Sequence, residues 1–288
     1  MILVNNGNIL SSLILSKILI FKFLYMPGNE DHVISYLVES SVNDCTYELP
    51  YLGILDSVSM PDGDEQIEIR TQDALLRYSS SDRYKKADVY INNVGISIKE
   101  PVSPLYNKMQ RKHITALLDH LLKDTNRTEE ILNSLDSEIS KVNEGGRRDV
   151  YWRSVFLENE FKLILEFLMM KGYADLKISH HPADYILVAP KRIGTFNAIK
   201  IYSFDEYFEN YKDTIVLAAR RIWTGNASNS ENRRAFTMIR EPLNCNWVFD
   251  NISGNPRKWD PSFPVKDRRE IFYFNVNVSK TLLDKKLL

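Results

Sequence analysis

Apolar positions recur at helical spacing in some stretches of this chain and alternate in others, a pattern that predicts helices interleaved with short strands. From Pro27, the stretch PGNEDHVISYLVESS has acidic residues in its first turn and then Val33, Ile34, Leu37 and Val38 on one face, which marks a helix start. Residues 43–62, with Pro50, Gly53 and Pro61, read as irregular. EQIEIR (65–70) alternates as a strand does. KKADVYINNVGISIKE (85–100) is two short β-rich runs around Asn92-Asn93, a tight-turn signal, and predicts a hairpin. Residues 105–123 place Leu105, Met109, Ile114, Leu117, Leu118 and Leu121 at helical spacings, and 128–142 repeat the pattern until Gly145-Gly146 breaks it. A long helix is expected from about 150 to 171, ending at Gly172. ADYILVAP (183–190), AIKIYSF (198–204), TIVLAA (214–219) and a final IFYFNVNVS (271–279) read as strands, with a short helix at 205–211. Together these elements point to an α/β fold, or its α+β variant, with a mixed central sheet flanked by helices.

With 288 residues, 44% of them hydrophobic, the chain can bury one sizeable core, and one domain with insertions accounts for the length. Two cysteines, Cys45 and Cys245, support neither a disulfide framework nor a zinc site, in keeping with a reducing cytoplasm. Residues 9–25 form an apolar run that Lys17 and Lys22 interrupt. It is short for a spanning helix and lacks the flanks of a signal peptide. Two readings stay open: residues 1–25 as an extension upstream of a true start at Met26, leaving 26–288 as the globular domain, or a packed N-terminal helix.

Net charge is −1, so no global field announces nucleic acid, but the distribution changes that picture. Ten basic residues fall between 219 and 269 against five acidic ones, a local charge of +5. Either a DNA-facing side or a solvated Arg-rich surface has this composition.

Asp88 and Lys99 stand at the open ends of the predicted hairpin. Phosphodiester hydrolysis needs a divalent cation and a positioned water, and Mg²⁺ takes only one or two carboxylates from its protein. Asp88 could hold such a metal and Lys99 a phosphate oxygen and the water. Ser97 shares Lys99's face, because residues two apart on a strand point the same way, and the Ile98 carbonyl oxygen could add a further ligand. An Asp and a Lys eleven residues apart also occur in many solvated hairpins. His180 and His181, adjacent on an extended segment, face opposite ways and do not make a two-histidine metal site.

ADVYINNVGISIKE resembles the PD-(D/E)xK core of type II restriction endonucleases, in which an Asp precedes a (D/E)-x-Lys tripeptide on the adjacent strand. Ala87 stands in place of the Pro, and Ser97 in place of the second acid. In that neutral polar residue the chain is similar to the MspI-like group, which cuts short GC-only sites. The resemblance runs over residues 28–280: Asn29-Glu30 at a helix start, PVSPLYNKMQRKH after the Lys, RRDVYWRSVFLENEFKLILEFL, ADYILVAPK, and the strand IFYFNVNVS. It implies a restriction-endonuclease-like fold and Mg²⁺ as cofactor. The site would comprise Asp88, Ser97 and Lys99, with Asp88, Glu30 and the Ile98 carbonyl on the metal and Glu39 as a second candidate. The substrate would be double-stranded DNA, cut to leave 5′-phosphates unless a cognate methyltransferase has marked the site.

Arg, Lys, Asn and Gln are the usual readers of base edges. Asn107, Lys108, Gln110 and Arg111 are expected to open the helix after Lys99, as DNA-binding residues or as a solvated face. Loops at about 220–269 offer Arg233, Arg234, Arg257, Lys258, Arg268 and Arg269, most of them for phosphate contacts, and the resemblance favours this later patch. Two other functions stay open: a DNA-binding relative that has lost catalysis, and a repair nuclease acting on DNA structure.

Overall fold

A computed structural model describes residues 29–43, 47–79, 84–250 and 260–287. The apolar run at 9–25, Met26, Cys45, Arg257 and Lys258 lie outside the described residues.

The chain begins with helix α1 (Asn29–Val42), a two-residue ribbon β1 (Glu48–Leu49) and β2 (Gly53–Ile54), then β3 (Val58–Asp62), β4 (Glu65–Glu68) and helix α2 (Gln72–Arg77). The predicted hairpin follows as β5 (Val89–Ile91) and β6 (Val94–Lys99), and β7 (Pro104–Met109) leads into helices α3 (Arg111–Leu121) and α4 (Thr128–Asn143). After β8 (Asp149–Tyr151) come α5 (Glu158–Glu166), β9 (Tyr185–Val188), β10 (Lys200–Tyr202) and α6 (Phe204–Tyr211). The last elements are β11 (Ile215–Trp223), α7 (Asn229–Ile239), β12 (Val248–Phe249), β13 (Glu270–Val278) and α8 (Lys280–Leu287).

Six strands form a mixed sheet in the order β10-β9-β6-β5-β3-β4. Only β6 and β9 run parallel within it. The second sheet is antiparallel, with β8, β11 and β13 in order, and β7 and β12 pairing with different parts of the remaining edge of β13. The result is an α/β fold whose central mixed sheet is flanked by helices. Among the described residues no helix is long and apolar enough to cross a membrane.

Val33, Ile34, Leu37 and Val38 of α1 are buried, as their spacing predicts, against Val89, Ile91, Ile96 and Ile98 of the hairpin. Strand β9 separates this core from a larger one. Its Leu187 enters the first, while Ile186 and Val188 enter the second with α3, α4, α5 and the inner face of the second sheet. A strand buried on both faces needs an unbroken apolar run, and YILV supplies it.

Asn92 (φ 51°) and Asn93 (φ 65°) both adopt the left-handed conformation that a two-residue hairpin turn demands. Asn92 does more than turn the chain. Its Oδ1 accepts from the N–H groups of Asp56 and Ser57, both at 3.0 Å, and its Nδ2 donates to the carbonyls of Leu52 (2.9 Å) and Ile54 (2.7 Å).

Three expectations need correction. Residues 43–62 contain three short strands, among them β3, which pairs with β5. The run from 105 does not start as a helix: Pro104–Met109 is a strand on β13, and the helix begins at Arg111. The stretch from 150 is likewise strand β8, then a 3-10 turn at Trp152–Ser154, before α5 starts at Glu158. A π-helical turn (Phe167–Lys171) ends α5 before Gly172.

Replacing Asn92 by Gly keeps the φ and removes all four side-chain bonds. Urea unfolding should show a loss of about 2–4 kcal/mol. Asn93→Gly, at an exposed position with the same φ requirement, should stay within about 0.5 kcal/mol of wild type.

Candidate active site

The hairpin register sets the site. Val89 pairs with Ile96, so the next step along places Asp88 across from Ser97, with Lys99 two residues further on the same face. The Asp88 N–H donates to the Ile96 carbonyl at 2.8 Å. The Ile98 N–H donates to Asp88 Oδ2 at 2.7 Å and fixes that carboxylate. Lys99 Nζ lies 4.0 Å from the same oxygen and donates to the Ile98 carbonyl at 3.1 Å. With side chains only 17% and 16% exposed, Lys99 and Asp88 interact more strongly than a surface pair would. Ser97 is 1% exposed, beneath them in the sheet.

Glu30 reaches the same place from the first turn of α1. One side of it remains open to solvent. Its carboxyl is nevertheless held above the usual range, first by burial among its neighbours and next by the negative charge of Asp88, while Lys99 and Lys85 pull the other way. Glu30, Ile98, Lys99, Glu100, Ser103, Pro104 and Asn107 line an open cleft of about 280 Å³. Four residues expected at one site from the sequence, Glu30, Ile98, Lys99 and Asn107, therefore line one hollow, and Asp88 lies 4.0 Å from the Lys99 ammonium. Glu100 adds a carboxylate that sequence reasoning missed. Among the described residues no three His, Cys, Asp or Glu side chains converge as a metal cage.

Lys86 was also missed. It is 9% exposed, its Nζ donates to the Leu168 carbonyl at 2.7 Å, and it sits 3.5 Å from the centre of the Tyr173 ring. The π-helical turn makes this possible. Its shifted register gives the Gly172 N–H to the Phe167 carbonyl and leaves the Tyr173 N–H on Lys177, so the Leu168 carbonyl is free to take the ammonium. Burial, and then the charge of Lys99, pull the Lys86 pKa down to about 7, while Asp88 and Asp175 oppose them.

The other predicted residues are placed as follows. Asn107 and Lys108 lie on strand β7 rather than a helix; Lys108 is exposed, and its backbone N–H donates to Asn275 Oδ1 at 2.9 Å. Gln110 precedes α3 and accepts from Asn244 Nδ2 at 2.9 Å. The Arg111 guanidinium is gripped by both oxygens of Asp136, at 2.8 and 3.0 Å. Arg233 and Arg234 are exposed on helix α7, not on a loop. Arg268 is 9% exposed and donates to the Phe263 carbonyl, and Arg269 pairs with Asp250 at 2.7 Å. Glu39 is exposed near the end of α1. His181 is structural: its Nε2 donates to the Gly63 carbonyl at 2.8 Å, so its Nδ1 accepts from the Tyr90 hydroxyl. His180 turns outward to Asp64.

Models of known protein families, curated protein sequences and solved structures give no match to this chain.

Lys86 makes stability depend on pH with a definite sign. Below its folded pKa it is protonated in both states; between about 7 and the ordinary 10.5 the unfolded chain binds the extra proton, so stability rises with pH. In metal-free buffer, wild-type Tm minus Lys86→Met Tm should therefore be larger at about pH 10 than at about pH 7.

Proposed function

We propose that this chain is a Mg²⁺-dependent endonuclease acting on double-stranded DNA, with a restriction-endonuclease-like fold. One observation carries the reading: a fixed carboxylate, Asp88, and an ammonium, Lys99, lie 4.0 Å apart on adjacent hairpin strands beside a cleft that Glu30 also enters. Their ordered surroundings in the sequence resemble the MspI-like restriction enzymes, which favours a site-specific cutter of unmethylated DNA over a repair nuclease.

The donor set fits a hard divalent cation. Asp88 and Glu30 offer carboxylate oxygens close enough for the charge of one to raise the pKa of the other, and the Ile98 carbonyl is beside them. Two carboxylates with water completing the shell is the arrangement Mg²⁺ prefers. Bound there, the cation would neutralise the charge that develops on a phosphate under attack. The chain's own groups do the rest. The Ile98 N–H holds the Asp88 carboxylate in one orientation, so none has to be found during the reaction. Lys99 orients a phosphate oxygen and the attacking water by hydrogen bonds from its ammonium. Ser97 is neutral and buried, so Glu30, which lines the cleft together with Glu100, supplies the second carboxylate.

Purified protein with Mg²⁺ should cut unmethylated phage DNA into discrete bands bearing 5′-phosphates. Asp88→Asn and Lys99→Ala should each lower the cutting rate by about 10²–10⁴-fold or more, with Tm and DNA binding retained. A smear in place of bands would favour a structure-specific nuclease, and undiminished cutting by both variants would end the assignment.

A further inference from the structure

A second hollow of about 400 Å³ opens at the far edge of the second sheet, lined by Arg147, Arg148 and Lys285 together with Tyr151, Val216 and Ser279. Asp149 is the one carboxylate among the described residues that line it. All three cations are exposed, and among the described residues their side chains make no ion pair or hydrogen bond. That sets them apart from Arg70, Arg111, Arg127, Arg221 and Arg269, each matched to a carboxylate. Three like charges brought to one hollow with a single carboxylate, Asp149, in its lining leave a net positive field that an anion would relieve.

The sheet register fixes where this hollow lies relative to the candidate active site. Pro104 of β7, Asn277 of β13, Val216 of β11 and Tyr151 of β8 form one cross-strand row. Pro104 lines the active-site cleft, and Val216 and Tyr151 line the basic one. Strands lie about 4.8 Å apart, so Pro104 and Val216, two spacings from each other, are separated by about 10 Å. The connection is also rigid. Val278 N–H donates to the carbonyl of Ser103, which lines the first cleft, and the next residue, Ser279, lines the second while donating to the Thr214 carbonyl at 2.8 Å.

We propose that Arg147, Arg148 and Lys285 form a phosphate clamp that grips the DNA backbone beyond the scissile phosphate. A separation of about 10 Å corresponds to the rise of about three base pairs along the helix axis, at about 3.4 Å each. The occupant rests on the nuclease reading above; what is added is the grip, supplied by the approach to β8 and by α8 rather than by the arginines of residues 220–269. Charge complementarity selects the phosphodiester backbone, and an exposed clamp of this kind holds DNA without reading its sequence.

Fluorescence anisotropy with a labelled duplex in metal-free buffer, titrated from about 50 to about 200 mM salt, tests the clamp. Two triple variants are compared with wild type, each checked for an unchanged melting curve: Arg147→Ala/Arg148→Ala/Lys285→Ala, and a control of equal charge loss around the first sheet, Arg70→Ala/Arg77→Ala/Lys200→Ala. The clamp variant should bind at least about tenfold more weakly, and its slope of log affinity against log salt should shrink by about 2.7, at about 0.9 per phosphate contact. The control should keep the wild-type slope. Should the clamp variant not fold, Lys285→Glu alone, on an exposed helix position, should still weaken binding. Unchanged affinity and slope in the clamp variant overturn the clamp, and if wild type cuts DNA the nuclease reading survives that loss. Clamp-dependent binding by a protein that does not cut keeps the clamp and removes the nuclease. Clamp-dependent binding that favours duplex RNA over DNA of the same sequence overturns DNA as the occupant.

Discussion

The Asn92 carboxamide ties the tip of the β5–β6 hairpin to residues 52–57 through four hydrogen bonds, and the register of the hairpin is set from that tip. A slip of one residue would move every side chain of β6 to the opposite face. Ile96 and Ile98 would leave the core under α1, and Lys99 would turn away from Asp88. The turn thus holds together a packing requirement and a chemical one. Because α1 packs on the same hairpin face through Val33, Ile34, Leu37 and Val38, its first turn is carried to the end of β6, and Glu30 arrives at Asp88 as a consequence of core packing.

Beneath the site a second constraint operates. Strand β9 runs parallel to β6 and is buried between the two cores, so the hairpin pairs along β6 with a strand that has little room to shift. Lys86 extends this anchoring to the π-helical turn at the end of α5, where an unused carbonyl and the Tyr173 ring receive a cation in a place where water is scarce. Asp88, two residues on, is therefore held by its own chain on one side and by Ile98 on the other. Such a carboxylate is oriented before any ligand arrives, as the proposed metal-binding role requires.

How much of this was legible in the sequence varied with how local the determinants were. The hairpin was legible because Asn92-Asn93 between β-branched runs states both turn type and periodicity, and α1 because its apolar face and acidic first turn lie within fourteen residues. Strand β7 was not, since Leu105 and Met109, four apart and both buried, satisfy a helical period as well as a strand period, and what decides between them is pairing with β13 some 170 positions later. The same holds for β8, which is a strand only because β11 lies beside it. Lys86 reads as one more charge in a polar run; its burial depends on Leu168 and Tyr173, far along the chain. The partners of Arg111 and Arg268 were hidden for a similar reason: the sequence does not say that Asp136 and the Phe263 carbonyl meet them.

Everything proposed for the site depends on Asp88 and Glu30 sharing one divalent cation. Crystals of the metal-free protein soaked in Mn²⁺ and measured for anomalous scattering test that directly. A single peak bonded to both carboxylates at about 2.0–2.2 Å is expected, present in Lys99→Ala and absent in Asp88→Asn. No peak at the hairpin, or one held elsewhere while Asp88 and Glu30 keep their metal-free contacts, would contradict it.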